Sequence, residues 1–325
     1  MGQPTNLGKL LTALAGLALA VAIVILAARL LRERNDDSDL ARTADVPVAA
    51  AMPPQLETWR ELSRIPLGMR SPRGIAVDRD RRLFVTGDTL IKVYSATGAP
   101  AAEFALDLPP QCLAVDRDGR MFVGLVDHVE VRDAAGARLS AWIPLGENAF
   151  ITSVAVTDTD VFVADSGGRL VWRFDKTGKL LNRLGEKGSS PDVEGFILPS
   201  PHLDLALSPD NTLWVNNPGR LLVESYAADG RRLRSWGTPS MKPEGFCGCC
   251  NPISLAVAPD GSFVTAEKGI ARVKRYSPDG AFRAVVAGPE CFDPGTDNLD
   301  VAADAAGRIL VLDPKRGMVL IFVAQ

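Results

Sequence analysis

One phrase recurs along most of the chain: a short apolar strand containing alanine, a polar turn, and a second apolar strand. In the first copy, Ile75-Ala76-Val77-Asp78 leads to Leu83-Phe84-Val85. The six copies of the first strand begin at Ile75, Leu113, Val154, Leu205, Leu255 and Val301. Self-similarity of this kind restricts the fold to a repeat architecture, in which each unit buries its apolar face against its neighbours.

Most copies continue with a third strand, a second glycine turn and a fourth strand. Lys92-Val93-Tyr94 precedes Gly98, and Val273-Lys274-Arg275-Tyr276 precedes Gly280. Four strands per unit, repeated at roughly 40 to 50 residues, are typical of β-propeller blades. Copies four and five agree at a constant offset of 50 residues, for example from Glu194 to Glu244 and from Gly230 to Gly280. The sequence therefore predicts an all-β fold, a six-bladed β-propeller.

The last copy ends before its outer strand. Residues 61–68 resemble the outer strand at residues 139–146, Leu-Ser-Ala-Trp-Ile-Pro-Leu-Gly. We expect this N-terminal segment to complete the sixth blade and so close the ring. The propeller is accordingly predicted to span residues 57–325.

At these residues the chain resembles the NHL-repeat family. The blades of that family read apolar-Ala-Val-Asp-x-x-Gly, followed by apolar-apolar-Val-x-Asp, and several copies here lack the Asp or the Gly. The resemblance covers nearly the whole propeller and implies the fold. It does not select a function, because this architecture hosts binding scaffolds, lyases and lactonases.

An apolar segment precedes the propeller. Residues 10–28 contain no charged side chain, and a helix of this length covers roughly the 30 Å of a bilayer core. We predict an N-terminal tail at 1–9, a transmembrane helix and signal anchor at 10–31, and a flexible linker, rich in charge and then in Ala and Pro, at 32–56. A cleaved signal peptide is the alternative, because Ala18-Leu19-Ala20 offers small residues at the right spacing.

The side of the membrane is set by two opposing arguments. Arg29, Arg32 and Arg34 follow the apolar segment, which by the positive-inside rule would keep the propeller in the cytoplasm. Fold-level analogy with tethered bacterial propellers favours the periplasm, and we adopt a single-pass protein with an extracytoplasmic propeller. The formal net charge of −3 leaves no basic excess to neutralise phosphates, so nucleic acid is not expected as a partner.

Polar side chains are expected at the mouth of the central channel, where the inner strands begin. His202, Asp204 and Asp300 are candidates there, as a general base or as ligands of a divalent cation. Four more candidates follow the second strands: Asp165, Asn217, Glu267 and Asp313. Each of these residue types is also common in a simple structural role, capping strand-entry turns or binding rim backbone.

Four of the five cysteines lie in two long entry loops, at residues 238–252 and 288–297. They are Cys247, Cys249, Cys250 and Cys291. Three interpretations stay open: a disulfide that joins the two loops, a zinc or iron–sulfur site, and free thiols.

These features predict a membrane-anchored binding or scaffold module. Its loop-rich, cysteine-bearing face would take a protein or small-molecule partner, with an accessory redox role as a variant. The alternative is a metal-dependent lyase or lactone hydrolase that works at the channel.

Overall fold

The computed structural model describes residues 57–189 and 193–325. The predicted tail, anchor and linker at 1–56 lie outside the described residues. Within the described part of the chain, no helix combines the length and the apolar character that crossing a bilayer requires.

The described residues form six four-stranded antiparallel sheets, which are the predicted six blades. From the channel outward, blade one consists of β2 (Pro72–Val77), β3 (Leu83–Gly87), β4 (Leu90–Tyr94) and β5 (Pro100–Ala105). Blade two consists of β6 (Cys112–Val115), β7 (Met121–Gly124), β8 (Val129–Arg132) and β9 (Arg138–Ala141). Blade three consists of β10 (Ile151–Val156), β11 (Asp160–Asp165), β12 (Leu170–Asp175) and β13 (Leu180–Leu184).

Blade four consists of β14 (Leu205–Leu207), β15 (Leu213–Asn217), β16 (Leu222–Tyr226) and β17 (Arg232–Trp236). Blade five consists of β18 (Ser254–Val257), β19 (Phe263–Glu267), β20 (Arg272–Tyr276) and β21 (Phe282–Ala287). Blade six consists of β22 (Asp300–Ala303), β23 (Ile309–Asp313), β24 (Met318–Ala324) and, as its outer strand, β1 (Trp59–Pro66). Short 3-10 turns lie at Pro218–Arg220 and Pro289–Cys291.

The ring is closed by the N-terminal strand, as predicted. β1 pairs antiparallel with β24, from Trp59 opposite Ala324 to Pro66 opposite Met318. The first described strand thereby covers an edge that the last strand would otherwise leave unpaired. This pairing joins the two ends of the propeller.

The repeated aspartate of the motif holds the hairpin between the first two strands of a blade. In blade one, Asp78 Oδ1 accepts hydrogen bonds from the backbone N–H groups of Asp80 and Arg82, at 3.0 and 2.8 Å. Asp116 in blade two and Asp304 in blade six make the same pair of bonds. The predicted left-handed turn residues follow, with φ of 80° at Gly119 and 62° at Asn211.

The core consists of six apolar clusters, and each lies between two neighbouring blades. The second strands are buried along their whole length in most blades, as in β19, because both faces of such a strand contact other blades. Aromatic side chains fill these interfaces, and Trp214 of blade four meets Phe263 of blade five with ring centroids 4.7 Å apart. Packing between blades therefore holds the inner strands around the channel.

Candidate functional site

The inner strands of the six blades surround a central channel. Its volume is about 770 Å³, and residues of all six inner strands line it. The loops that enter the inner strands and the hairpins that leave the second strands lie on one face, because successive strands in a blade run antiparallel. The three sequence candidates His202, Asp204 and Asp300 all line this channel.

A ring of oxygen-bearing side chains joins neighbouring blades at the mouth. The position two residues before the alanine of each repeated phrase holds Gly74, Cys112, Ser153, Asp204, Ser254 and Asp300. Four of these reach the next inner strand: Ser153 Oγ accepts from Leu205 N at 3.2 Å, Asp204 Oδ2 from Leu255 N at 2.7 Å, Ser254 Oγ from Val301 N at 3.2 Å, and Asp300 Oδ2 from Ile75 N at 2.8 Å. We call this set of four the clasp ring. These side-chain hydrogen bonds connect neighbouring blades, whose inner strands belong to separate sheets.

One hydroxyl acts on both carboxyls of the clasp ring. Ser254 Oγ donates to Asp300 Oδ1 at 2.7 Å, and the same hydroxyl lowers the pKa of Asp204. Burial, together with the nearby Asp204 charge, raises the pKa of Asp300 to about 7. Burial also raises the pKa of Asp204, against the hydrogen bonds from Ser153 and Leu255 that lower it. Since like charges this close disfavour joint ionisation, the pair holds a proton more readily than two separate carboxyls would.

The clasp ring does not fit a divalent cation. Asp204 Oδ1 and Asp300 Oδ1 each accept the N–H of the following residue, and the second oxygens accept the N–H groups of the next blade. Within residues 57–189 and 193–325, no three His, Cys, Asp or Glu side chains converge as a ligand set. The oxygens that were candidate ligands are thus engaged in holding the blades together.

His202 lies above the clasp ring in the entry loop of blade four. Burial and the nearby Lys268 ammonium lower its pKa to about 4, so the imidazole is neutral near pH 7. Lys268 itself donates to Ser200 Oγ at 2.9 Å, which keeps its charge close to the imidazole. A neutral imidazole at a channel mouth can accept a hydrogen bond, but with a pKa of about 4 it is only a weak proton acceptor near pH 7.

Cations on the rim of the channel were not among the sequence candidates. Arg70, Arg73 and Lys315 line the mouth and are exposed, whereas Asp297 is the exposed carboxylate there. Arg73 Nη1 donates to Gln111 Oε1 at 2.9 Å, which orients one guanidinium across the entry loop of blade two. The signal was present in the sequence, because Arg73 directly precedes the mouth position of blade one. Among the exposed side chains of the rim there are therefore three cations and one carboxylate, and the two clasp-ring carboxyls lie at the same mouth.

The four candidates that follow the second strands do not line the channel; they bind the entry loop of their own blade or the turn that follows. Asp165, Asn217, Glu267 and Asp313 are all almost fully buried. Asp165 Oδ1 accepts from Phe150 N at 3.0 Å, and Asn217 Oδ1 accepts from Ile197 N at 3.0 Å. Glu267 Oε1 accepts from Cys247 N at 3.2 Å, and Asp313 Oδ1 accepts from Lys315 N at 3.0 Å. Their position corresponds to the structural role of a turn carboxylate or amide.

The cysteines are all free thiols in this structure. The two adjacent residues Cys249 and Cys250 have their sulfur atoms 3.5 Å apart. Cys291 packs near the outer strand of blade six and does not pair with the other loop. Burial and the Glu290 carboxylate raise the pKa of its thiol. The structure therefore contains no disulfide between the two loops. Among the described residues, no three side chains form a metal-ligand set.

No protein-family model matches the chain, and no curated protein matches it in sequence. Its fold, in contrast, is similar to solved propellers. A streptogramin B lyase structure has a TM-score of 0.57 at 11% identity, with 82% of this chain and 98% of that chain covered. The selenomethionine-substituted virginiamycin B lyase from Staphylococcus aureus has a TM-score of 0.54 at 14% identity, with 82% and 88% covered.

A third similar structure is a catalytically inactive histidine-to-alanine variant of virginiamycin B lyase from Staphylococcus aureus with quinupristin. Its TM-score is 0.53 at 15% identity, and 79% of this chain and 82% of that chain are covered. At such identities the likeness concerns the fold alone. The chain is a six-bladed β-propeller whose structural neighbours include the virginiamycin B lyase propellers.

Proposed function

We propose that this chain is an NHL-type binding propeller whose channel mouth takes a small multivalent anion. The observation that carries the proposal is the rim, where Arg70, Arg73 and Lys315 surround a channel of about 770 Å³. A concave site with convergent polar groups is the usual place for a small ligand, and cations at its mouth favour an anionic one. The neutral His202 and the amide of Gln111 add hydrogen-bonding partners beside these charges.

The wider setting of this module is part of the same proposal. The helix predicted at 10–31 would tether the propeller to a membrane as a single-pass anchor, with the propeller on the extracytoplasmic, periplasmic side. The loop-rich face would then point to a partner, and its cysteine loop would give the module an accessory redox role. The resemblance of the blades to the NHL motif and the uncharged segment at 10–28 support this setting.

Binding is tested on the full-length chain by isothermal titration with citrate and pyrophosphate as probes. We expect saturable binding that weakens about 5- to 30-fold in the Arg73→Ala variant, because one charge contact contributes on the order of 1 to 2 kcal/mol. Arg231→Ala is the matched control, since Arg231 is an exposed arginine that pairs with Asp229 away from the mouth. Equal binding by both variants, or no saturable binding to the wild type, would contradict the proposal.

The second candidate is a lyase acting at the same mouth. Two observations favour it: the fold is shared with virginiamycin B lyase, and His202 is a neutral imidazole in the channel. In this reading His202 removes a proton from the substrate as a general base, and the rim cations bind the developing negative charge. The clasp carboxyls hold the inner strands in place and do not take part.

Quinupristin, the compound in one of the similar structures, is the first substrate to try. Its loss is followed by chromatography with and without added Mg²⁺. Turnover by the wild type that falls at least about 100-fold in His202→Ala would establish the lyase. If the wild type and the His202→Ala variant consume quinupristin at the same rate, the binding module remains the proposed function.

A further inference from the structure

The loop that enters the inner strand of blade five carries two neighbouring thiols of unequal exposure. Cys249 is exposed, whereas Cys250 is 9% exposed. Their sulfur atoms lie 3.5 Å apart, so they must approach by roughly 1.5 Å to reach the S–S bond length of about 2.05 Å. Adjacent Cα atoms lie about 3.8 Å apart, below the usual range of about 4.4 to 6.8 Å for a disulfide, so closing this bond requires a small backbone adjustment in addition to side-chain rotation.

The loop around this pair is fixed from below. Asn251 Nδ2 donates to Cys247 O at 2.7 Å and to Lys268 O at 3.0 Å, while Asn251 Oδ1 accepts from Lys268 N at 2.9 Å. Cys247 N donates in turn to Glu267 Oε1 at 3.2 Å. Because both ends of the turn are bonded to the second hairpin of blade five, Cys250 stays beside Cys249.

The third thiol of the loop is poorly suited to exchange chemistry. Cys247 is 5% exposed, and burial together with the Glu267 charge raises its pKa. A buried thiol beside a carboxylate forms little thiolate and admits no bulky reagent. Burial and the neighbouring Cys250 also raise the pKa of Cys249, so acidity does not separate the two thiols. Cys249 is the member of the loop that a disulfide can reach because it is exposed, and Cys250 is its neighbour.

We propose that Cys249 and Cys250 form a dithiol pair that reduces disulfides of small thiols or of exposed protein segments. The inference rests on the accessory redox role proposed above and names the site and substrate class for it. The Cys249 thiolate attacks one sulfur of the substrate disulfide, forming a mixed disulfide and releasing one thiolate. The Cys250 thiolate then attacks Cys249 Sγ, forming the Cys249–Cys250 bond and releasing the second thiolate. Two electrons pass to the substrate, the two thiol protons go to the released thiolates, and the pair ends as a vicinal disulfide.

The test uses the reduced full-length chain and oxidised glutathione. After the reaction the chain is denatured, alkylated and weighed: five cysteines take five alkyl groups when reduced, and a closed pair leaves three. We expect loss of two alkyl groups, with peptide mapping placing the crosslink between residues 249 and 250. The Cys250→Ser variant should accumulate glutathione on Cys249, and Cys249→Ser should react at least about tenfold more slowly.

Two further measurements keep the result independent of folding and of the channel. Cys291→Ser is the matched control, because Cys291 lies in another loop and its variant should exchange like the wild type. Phenylarsine oxide, which bridges two close thiols without any redox step, should bind one equivalent to the wild type and none to Cys249→Ser. A crosslink that includes Cys247 or Cys291, or five alkylated thiols after oxidation, would overturn the dithiol pair. Either failure leaves the citrate and pyrophosphate titrations unaffected, so the channel proposal is tested separately.

Discussion

Blade four and blade five have corresponding strands, yet they distribute their buried charges in opposite ways. Blade four has Asn217 at the end of its second strand and Glu224 in its third strand; 50 residues later blade five has Glu267 and Lys274. In both blades the pair lies under the loop that enters the inner strand. The difference concerns which side chain holds that loop.

In blade four, one amide side chain both accepts an N–H of the entry loop and faces a carbonyl of the same loop. Asn217 Oδ1 accepts from Ile197 N at 3.0 Å, and Asn217 Nδ2 faces Gly195 O at 3.5 Å while donating to Glu224 Oε2 at 3.0 Å. Glu224 is further bonded to Tyr226 Oη at 3.1 Å and pairs with Arg232 at 3.2 Å. Every charge in this cluster has an opposite charge or a donor.

In blade five, two side chains bind the N–H and the carbonyl of the entry loop, because a carboxylate cannot donate a hydrogen bond. Glu267 accepts from the N–H of Cys247, the counterpart of Ile197, and Lys274 Nζ donates at 2.6 Å to the carbonyl of Gly245, the counterpart of Gly195. Lys274 is fully buried, lies 3.1 Å from Glu267 Oε2, and sits 4.5 Å from the ring centroid of Phe246. Arg272 also pairs with Glu267. Beneath the cysteine loop, one carboxylate thus neutralises two buried cations. Charged side chains hold this loop, whereas an amide holds its counterpart in blade four.

The largest predicted effect is the loss of that carboxylate. Glu267→Asn gives blade five the side chain of blade four but leaves Arg272 and Lys274 without a negative partner. We expect it to lower the free energy of unfolding by about 3 to 5 kcal/mol, measured by urea unfolding. The double variant Glu267→Asn/Lys274→Glu copies the whole blade-four pair and should recover about half of that loss. If the double variant is less stable than the single one, the two arrangements are not interchangeable.

The amide Asn216 provides a second contrast, because its counterpart in blade five is Ala266. Asn216 is fully buried; its Oδ1 accepts from Asp204 N at 2.6 Å, and its Nδ2 donates to Pro252 O at 2.8 Å, which ties the clasp ring to the cysteine loop. Asn216→Ala should therefore cost about 1 to 3 kcal/mol, since it leaves a buried N–H and a buried carbonyl without their partner. Asn182→Ala is the control, as that amide bonds Ala228 O at the exposed edge of blade three and should cost less than about 1 kcal/mol. Equal losses would mean that the link between blades four and five adds nothing.

Most of the fold could be predicted from the sequence because the blade is a local pattern. The alternation of apolar strands with Asp and Gly turns repeats within each blade, and the closing strand resembles other outer strands, as at residues 139–146. The positions of Asp204 and Asp300 in the channel could be predicted for the same reason. Their bonds to Leu255 and Ile75 could not, because they depend on the spacing between blades, which no local pattern records.

The burial of these charges could not be predicted from the sequence either. A lysine in the middle of a strand, such as Lys274, is ordinarily exposed on the polar face. Here Tyr276 of the same strand and Phe246 of the entry loop cover it, and the position of the entry loop cannot be read from the strand itself. The dithiol pair was visible as two adjacent cysteines, but the contrast between the exposed Cys249 and the buried Cys250 was not.

The buried lysine also predicts a pH dependence that blade four lacks. Burial lowers the pKa of Lys274 to about 8, below its usual value of 10.5. Between these values the unfolded chain binds more protons at this residue than the folded chain does, so the lysine makes the folded state relatively more stable as pH rises. From pH 8 to 9.5 the wild type should gain about 1 to 2 kcal/mol relative to Lys274→Met.

Comparing the two proteins at each pH cancels the contributions of Cys112 and Tyr226, which act in the opposite direction because their pKa values are raised. The measurement is urea unfolding of both proteins at each pH. Parallel curves would show that Lys274 stays protonated throughout this range, and that blade five tolerates its excess positive charge.

The smallest predicted effect concerns the position where blade four has Ser225 and blade five has Arg275. Arg275 pairs with Glu57 and Asp260 and lies 5.7 Å from the ring of Trp59, so it connects blade five to the closing strand β1. Arg275→Ser, which copies blade four, should cost about 0.5 to 1 kcal/mol, because the pairs are near the surface and screened by salt. Glu57→Gln should cost a similar amount, and the double variant should cost less than the sum of the two, since both changes remove the same pair. Strict additivity would show that the contribution of Arg275 does not come from its pair with Glu57 but from its other contacts, with Asp260 and with the ring of Trp59.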